Sequence, residues 1–443
     1  MSACEAKMIA QKRKIGCVVV SGKPGYTLPV APHGRRRSID RSSTDTGIMR
    51  GISPIGYCTN VHAGANWQAT RASLEDYAVG VKRIFRPEAA MGIGLWFSNE
   101  SSQQLEREGV DEFAGWLSSQ GLVPSTLNGF PFGDFHQAVV KHDVYLPDWT
   151  NPSRRQYTER LVRIQHHLLP TRQEASISTL PLAWGSAQTP ATFSVCAEQL
   201  TQLAQYLASF EKEQGRLFYV CIEPEPGCAL DTAEDIVHFF NEFLLKSRGE
   251  EEQQIRRHIR ICHDVCHSVV MFEEQATAIN AYRRAGIEIG KIQVSSAVKM
   301  ELDALDTLQR RAALAQLAAF HEPRYLHQTM VKRAGEETPR FYEDLHLALA
   351  AESEHALKGG EWRVHFHVPI FVEQFGALSA SQGEILQCLQ ALRDSQVKHF
   401  EVETYAWGVL PESLRATNLA EGIAKELSWL APRLREQSFI ESM

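Results

Sequence analysis

The chain has 443 residues, 44% of them hydrophobic and 22% charged, with a formal net charge of −7 at pH 7. That supports a large core, in one domain with insertions or in two. No apolar run reaches the ~18 residues of a membrane-spanning helix, and no signal peptide with a cleavage site is evident. Residues 1–50 hold ten Lys/Arg against three Asp/Glu, so the remainder carries −14. An acidic body speaks against a nucleic-acid partner, because phosphate binding needs a basic surface. Nine cysteines without paired spacing point to a reducing, cytoplasmic setting, with Cys221, Cys262 and Cys266 as small core residues.

In chain order, residues 1–48 read as a basic disordered tail, or as translation from an upstream start with Met49 the natural beginning. Residues 49–443 read as one domain. Apolar strand runs are expected at Ile52–Cys58, Met91–Phe97, Leu122–Leu127, Ala175–Leu182, Arg216–Ile222, Ile259–Cys262, Ile289–Val294 and His399–Val402. Apolar residues at three- and four-residue steps predict helices over Trp67–Phe85, Val110–Ser119, Arg154–Leu169, Val195–Glu213, Thr232–Lys246, Glu273–Ala285, Ser381–Ser395 and Glu412–Arg435. Strand alternating with helix implies a parallel sheet. Eight such units predict an α/β fold, a (β/α)8 TIM barrel whose reactive groups sit at the C-terminal strand ends. A doubly wound open sheet is the competitor, but N-V-H-A-G follows the first strand where that fold carries a glycine-rich phosphate loop. One strand-like run, Trp362–Val368, is surplus. It falls in a long segment, about 297–380, together with the short run Arg324–Met330. That segment is expected to be a structured insertion after the seventh strand, pairing locally or closing over the barrel mouth.

The strand ends carry the chemistry. With a period of two, Tyr219, Cys221 and Glu223 share one face of the fifth strand, and Arg260, Cys262 and Asp264 one face of the sixth. Asp264 then ends its strand pointing inward and His267 returns over it; the alternative is a buried Asp264 capping the next helix, with His267 on the surface. Glu225 reads as a surface-loop carboxylate. Lys291, Gln293 and Ser295 point inward from the seventh strand, Glu401 and Glu403 from the eighth. Two inward glutamates are costly to bury unpaired, so a cation, or a salt bridge to Lys291 or Arg260, is their natural partner. His365 and His367 share a face of the surplus run, a ligand or proton-shuttle pair unless that run is an exposed edge. Asn60 and His62 follow the first strand, and Asn128 ends the third. Glu223, Asp264, Gln293 and Glu403 thus end four consecutive strands, with His267 and His367 nearby. Oxygen ligands favour Mn²⁺ or Mg²⁺, and the added histidines admit Co²⁺ or Zn²⁺.

Glu on the fifth strand, Asp-x-x-His on the sixth and Glu on the eighth resemble the xylose isomerase-like TIM-barrel superfamily of sugar isomerases, ketose 3-epimerases and apurinic endonucleases. More closely, I-G-Y-C-T-N-V-H-A-G, T-L-N-G-F-P-F-G-D-F-H, C-I-E-P-E-P-G, C-H-D-V-C-H, W-R-V-H-F-H-V-P and F-E-V-E-T-Y resemble the EboE family of metabolite traffic proteins. Genes of that family lie in small clusters linked to handling a secondary metabolite or its precursor. The resemblance runs from about Ile52 to Leu430. It implies metal ligands at Glu223, Asp264 and Glu403, with His267 as a metal- or substrate-binding partner. Gln293 stands where the epimerases usually have His, and His365 or His367 would fill that gap. His62, Asn128, His267, His365 and His367 are the expected substrate-binding residues.

Three function classes follow. The first is a metal-dependent isomerase or epimerase of a sugar-like or polyol metabolite, in which Glu223 and Glu403 remove and return the proton next to a carbonyl. The second is a metal-assisted phosphoester hydrolase. The third is a binding or trafficking barrel without turnover. The expected partners are a small-molecule metabolite and other proteins of the gene cluster; the sequence leaves oligomeric state open.

Overall fold

Eight short runs become parallel strands: Ile55–Tyr57, Met91–Trp96, Leu122–Asn128, Ala175–Thr179, Phe218–Ile222, Ile259–Asp264, Ile289–Val294 and His399–Val402. The structure is a computed structural model and describes residues 55–439 except 171, 172, 187, 247 and 438. The tail expected at 1–48 lies outside the described residues. Going round the sheet, the order is first, eighth, seventh, sixth, fifth, fourth, third, second. The first strand pairs in parallel with the eighth, and a parallel bridge from Cys58 to Gly94 joins it to the second. The ring is therefore a (β/α)8 barrel, as the alternation predicts; a doubly wound sheet would keep two open edges.

Strand ends shift for local reasons. The fourth strand stops at Thr179, not Leu182, because Pro181 lacks an N–H and Leu182 adopts a left-handed φ of 70°. The fifth begins at Phe218, since the Arg216 guanidinium turns aside to donate to the carbonyls of His166 and Pro170. Helices Asn99–Glu108 and Glu250–His258 escape the sequence pattern. Their segments hold one apolar side chain each, Leu105 and Ile255, too few for a periodic stripe. The last helix starts at Leu419 and not near Glu412, because the Asn418 side chain accepts from Ala420 N–H and so caps it there.

Alternation holds along the strands, and it makes this barrel's interior unusually polar, where most (β/α)8 barrels pack Val, Ile and Leu. Tyr219, Cys221 and Cys262 cluster together. Lys291 and Glu401 form a fully buried ion pair of 2.5 Å, and Lys291 also donates to Ser178. Arg260 instead lies over the Tyr219 ring and pairs with Glu288. Gly94 makes room for Glu401, since a Cβ there would stand 1.1 Å from Glu401 Oε1. Gly94→Ala is therefore expected to destabilise the chain by about 1–3 kcal/mol through overpacking. Gly115→Ala, on a helix with nothing within 4 Å of the added carbon, should leave urea unfolding unchanged or slightly improved.

After the seventh strand the chain builds a second, antiparallel sheet of six strands. Their order is Arg340–Tyr342, Thr329–Arg333, Gly360–Val364, Val298–Glu301, Leu378–Ala380, Gln374–Phe375. Helices Thr307–Ala318 and Leu345–Ala356 belong to the same excursion. The surplus run is shorter than expected: its strand ends at Val364, and residues 365–368 continue without ladder pairing. The segment pairs locally, and it also delivers His365 and His367 to the cavity at the strand ends.

Candidate functional site

At the C-terminal strand ends, Glu223, Asp264 and Glu403 meet, each buried, with ligand-capable atoms all within 4.8 Å of one another. Asp264 caps the short helix Val265–Val270: its Oδ1 accepts from the His267 N–H at 2.9 Å and from the Ser295 hydroxyl at 2.7 Å. Capping and site geometry thus coexist, and His267 is buried, not on the surface. Glu403 Oε1 accepts from the side-chain amides of Asn60, at 2.7 Å, and Asn128, at 3.1 Å.

Three imidazoles stand beside the carboxylates. His267 Nδ1 donates to the Pro224 carbonyl at 2.8 Å, His365 Nδ1 to Gln328 Oε1 at 2.7 Å, and His367 Nδ1 to the Glu403 carbonyl at 2.7 Å. Because an acceptor fixes the proton on each Nδ1, every Nε2 presents a lone pair. His267 Nε2 and His365 Nε2 then face one another at 3.2 Å with no proton between them in the neutral state. The groups overlap: Asp264, His267 and His367 meet within 4.8 Å, as do Glu225, His267 and His365, and Cys266, His365 and His367.

Burial and like charge set the protonation. Burial, then the neighbouring Glu403 and Asp264, push Glu223 well above the usual carboxylate range. Burial, then Asp264 and Glu401, push Glu403 up to about 8. Burial also raises Asp264, but the imidazoles, the His267 amide and the Ser295 hydroxyl outweigh it and hold Asp264 below its ordinary value. Burial depresses His367 to about 4 and takes His365 well below its ordinary value.

Several buried acceptors lack any protein partner: Glu223 Oε2, Asp264 Oδ2, His367 Nε2 and Gln293 Oε1, while the Gln293 Nε2 donor is unpaired as well. Gln293 sits in register beside Asp264 and Glu401, fully buried, without lining the cavity. Unpaired buried acceptors of this kind are what a divalent cation satisfies, so the residues fit one.

Other expected residues divide. Asn128, His267, His365 and His367 line the cavity. His62 does not. Residues 59–61 form a 3₁₀ turn, and His62 beyond it bonds the Tyr57 hydroxyl at 2.9 Å and stacks on Tyr77; Asn60 takes the place facing Glu403. Glu225 is also corrected. It is buried, accepts from the Tyr145 hydroxyl at 2.8 Å and the Gln328 amide at 3.0 Å, and lines the cavity with Glu223. The signal was E-P-E-P: in an extended, proline-stiffened segment, residues two apart face the same way. Gln328, Tyr145, Tyr325 and Tyr405 went unnoticed, since loop packing alone brings them in.

Fold and site together define a class: a (β/α)8 barrel with a buried carboxylate–imidazole cluster at the C-terminal ends of its strands. No family profile and no curated protein matches the chain. Solved structures do. The chain is similar to a xylose isomerase domain protein from Planctomyces limnophilus (12% identity, TM-score 0.44, covering 88% of this chain and 99% of that one). It is also similar to a D-tagatose 3-epimerase-like protein (10%, 0.43, 87% and 98%) and to an IolI protein with a bound zinc atom (10%, 0.41, 88% and 99%).

Proposed function

We propose that this chain is a divalent-cation-dependent isomerase or epimerase of the xylose isomerase-like superfamily. It would be EboE-like, acting on a hydroxy-ketone or polyol metabolite handled with other proteins of its gene cluster. The observation that carries this reading is the set of unpartnered buried acceptors, Glu223 Oε2, Asp264 Oδ2 and His367 Nε2, within the cluster at the strand ends. Glu223, Asp264, Glu403 and His267 would hold the cation, with the Gln293 amide oxygen on the seventh strand. When bound, the cation supplies positive charge that orients two vicinal substrate oxygens and acidifies the C–H beside the carbonyl.

The rest falls to the protein. Without a cation Glu223 and Glu403 bind protons more tightly than ordinary glutamates; with a cation bound those protons would be displaced, leaving both as carboxylates able to take a proton from carbon and return one. One carboxylate gains the proton the other donates, so no redox cofactor is required. Asn60 and Asn128 fix the Glu403 carboxylate through Oε1. In D₂O, the Mn²⁺-loaded chain is expected to place deuterium next to the carbonyl of a ketose from a panel that includes D-fructose and dihydroxyacetone. Glu223→Gln should slow that exchange about 10²–10⁴-fold. The competing reading, a binding barrel without turnover, draws on Gln293, a weaker amide-oxygen donor where the epimerase pattern has an imidazole. Mn²⁺ binding without exchange anywhere in the panel would favour it.

His367 gives a separate check. Its Nδ1 is held by the Glu403 carbonyl and its Nε2 is free for a ligand. His367→Ala is expected to weaken Mn²⁺ binding at least ~10-fold, measured calorimetrically, with circular dichroism showing a folded chain. Unchanged affinity would remove His367 from the cation site.

A further inference from the structure

Above the polar floor, the cavity changes character. Its outer wall is Phe130, Phe135, Val144, Tyr325, Leu326 and Tyr405. Phe135, Tyr325 and Tyr405 form an aromatic trio with ring centroids 5.0–5.6 Å apart, and Tyr405 also lies 4.7 Å from His367. The trio therefore begins where the imidazoles end. It is pinned in place: the Tyr325 hydroxyl donates to the Phe135 carbonyl, and Val140 and Lys141 N–H groups donate to the Arg324 carbonyl. The loop after the third strand and the inserted segment thus form one preformed wall.

Most polar groups of this wall are already engaged, Tyr325 with the Phe135 carbonyl among them. The Tyr145 hydroxyl is given to Glu225. Lys141, the one ammonium or guanidinium among the lining residues, is paired with Asp344 at 2.5 Å, so a phosphate or carboxylate tail finds no free cation there. A bare ketose would bring hydroxyls along its whole length into a wall with few groups to pair them, and unpaired buried hydroxyls cost affinity. An aliphatic or aryl group would lose water and gain aromatic contact.

We infer that the ligand of this barrel is amphiphilic: a vicinal-oxygen head at the carboxylate–imidazole floor, carried on an apolar, ring-sized tail lying against Phe135, Tyr325, Leu326 and Tyr405. The inference rests on the cation reading above and narrows its substrate class. Hydroxamates test it, because two ligands with the same two-oxygen head differ only in the tail. Calorimetric titration of the Mn²⁺-loaded full chain with acetohydroxamate and with 3-phenylpropanohydroxamate is the experiment, with free Mn²⁺ as control. The phenyl ligand is expected to bind at least tenfold tighter. Phe135→Ala, and the smaller change Leu326→Ala, which guards against misfolding, should each remove at least threefold of that gain and leave acetohydroxamate unchanged. Equal affinity for the two ligands overturns the inference while leaving the cation reading standing. A tail preference that survives both replacements also overturns it, since the tail then lies elsewhere. If neither hydroxamate binds the loaded chain, the cation reading and this inference fall together.

Discussion

Lys291→Met is expected to destabilise the chain by about 3–5 kcal/mol, the cost of leaving one member of a buried ion pair uncompensated. Lys291 and Glu401 are both fully buried, 2.5 Å apart, though the contact lacks the direction of a hydrogen bond at the Glu401 oxygens. Burial pushes the Lys291 ammonium toward neutrality, and Glu401 together with Cys262, Cys58 and Glu223 more than reverses it, so Lys291 stays charged. In the single variant Glu401 would face the already raised carboxylates of Glu403 and Glu223 with no counter-charge; Lys291 holds both lower than burial alone would. The double variant Lys291→Met/Glu401→Leu removes both charges and should recover most of the loss. Urea unfolding of wild type, both single variants and the double variant closes the cycle. If the double variant is as unstable as Lys291→Met, packing around Lys291 and not charge is what the interior needs.

The same pair shows how far the sequence could be read. Period-two alternation placed Glu401 and Glu403 inward together, and it named Lys291 as a salt-bridge partner alongside a cation. Space divides those options: Lys291 reaches Glu401, while Glu403 belongs to the cluster with Glu223 and Asp264. Strand ends are legible because one residue type per strand carries them. His62, expected at the substrate from its place after the first strand, lies outside the cavity because a 3₁₀ turn over residues 59–61 intervenes. Glu225 was misplaced because a loop carboxylate reads as exposed unless its partners, here Tyr145 and Gln328 from distant segments, are known. The inserted sheet could be bounded but not folded, since antiparallel pairing among short strands depends on register that composition does not encode.

The metal-free chain should melt lower than the Mn²⁺-loaded chain, and the gap should widen with pH. A cation that binds only the folded state at a hundredfold excess over its Kd adds about 2.7 kcal/mol. For a domain of this size that is a rise of about 3 °C in Tm. The pH dependence follows from the carboxylates. Glu403 is raised from 4.5 to about 8, and Glu223 is also raised well above 4.5. Between these limits the folded, metal-free chain binds more protons than the unfolded one. Their stabilising contribution is full below about 4.5 and is lost as pH rises through about 8. His367, depressed from 6.5 to about 4, works in the opposite sense, and its contribution is lost only as pH falls below 6.5. From pH 6.5 to 8, then, the carboxylates set the slope at this site. A cation must displace their protons, so its affinity should rise by about tenfold per pH unit for each proton released. Calorimetric melts with Mn²⁺ and with chelator at pH 6.5 and 8 measure both effects. The variant Glu223→Gln/Asp264→Asn/Glu403→Gln should lose the Mn²⁺ response at both pH values. Without cation its stability should fall less than that of wild type between pH 6.5 and 8, because the two glutamates that lose their protons there are replaced. A Mn²⁺ increment that shrinks between pH 6.5 and 8, or that persists in the triple variant, would place any bound cation away from these carboxylates and leave the barrel as a binder of neutral metabolites.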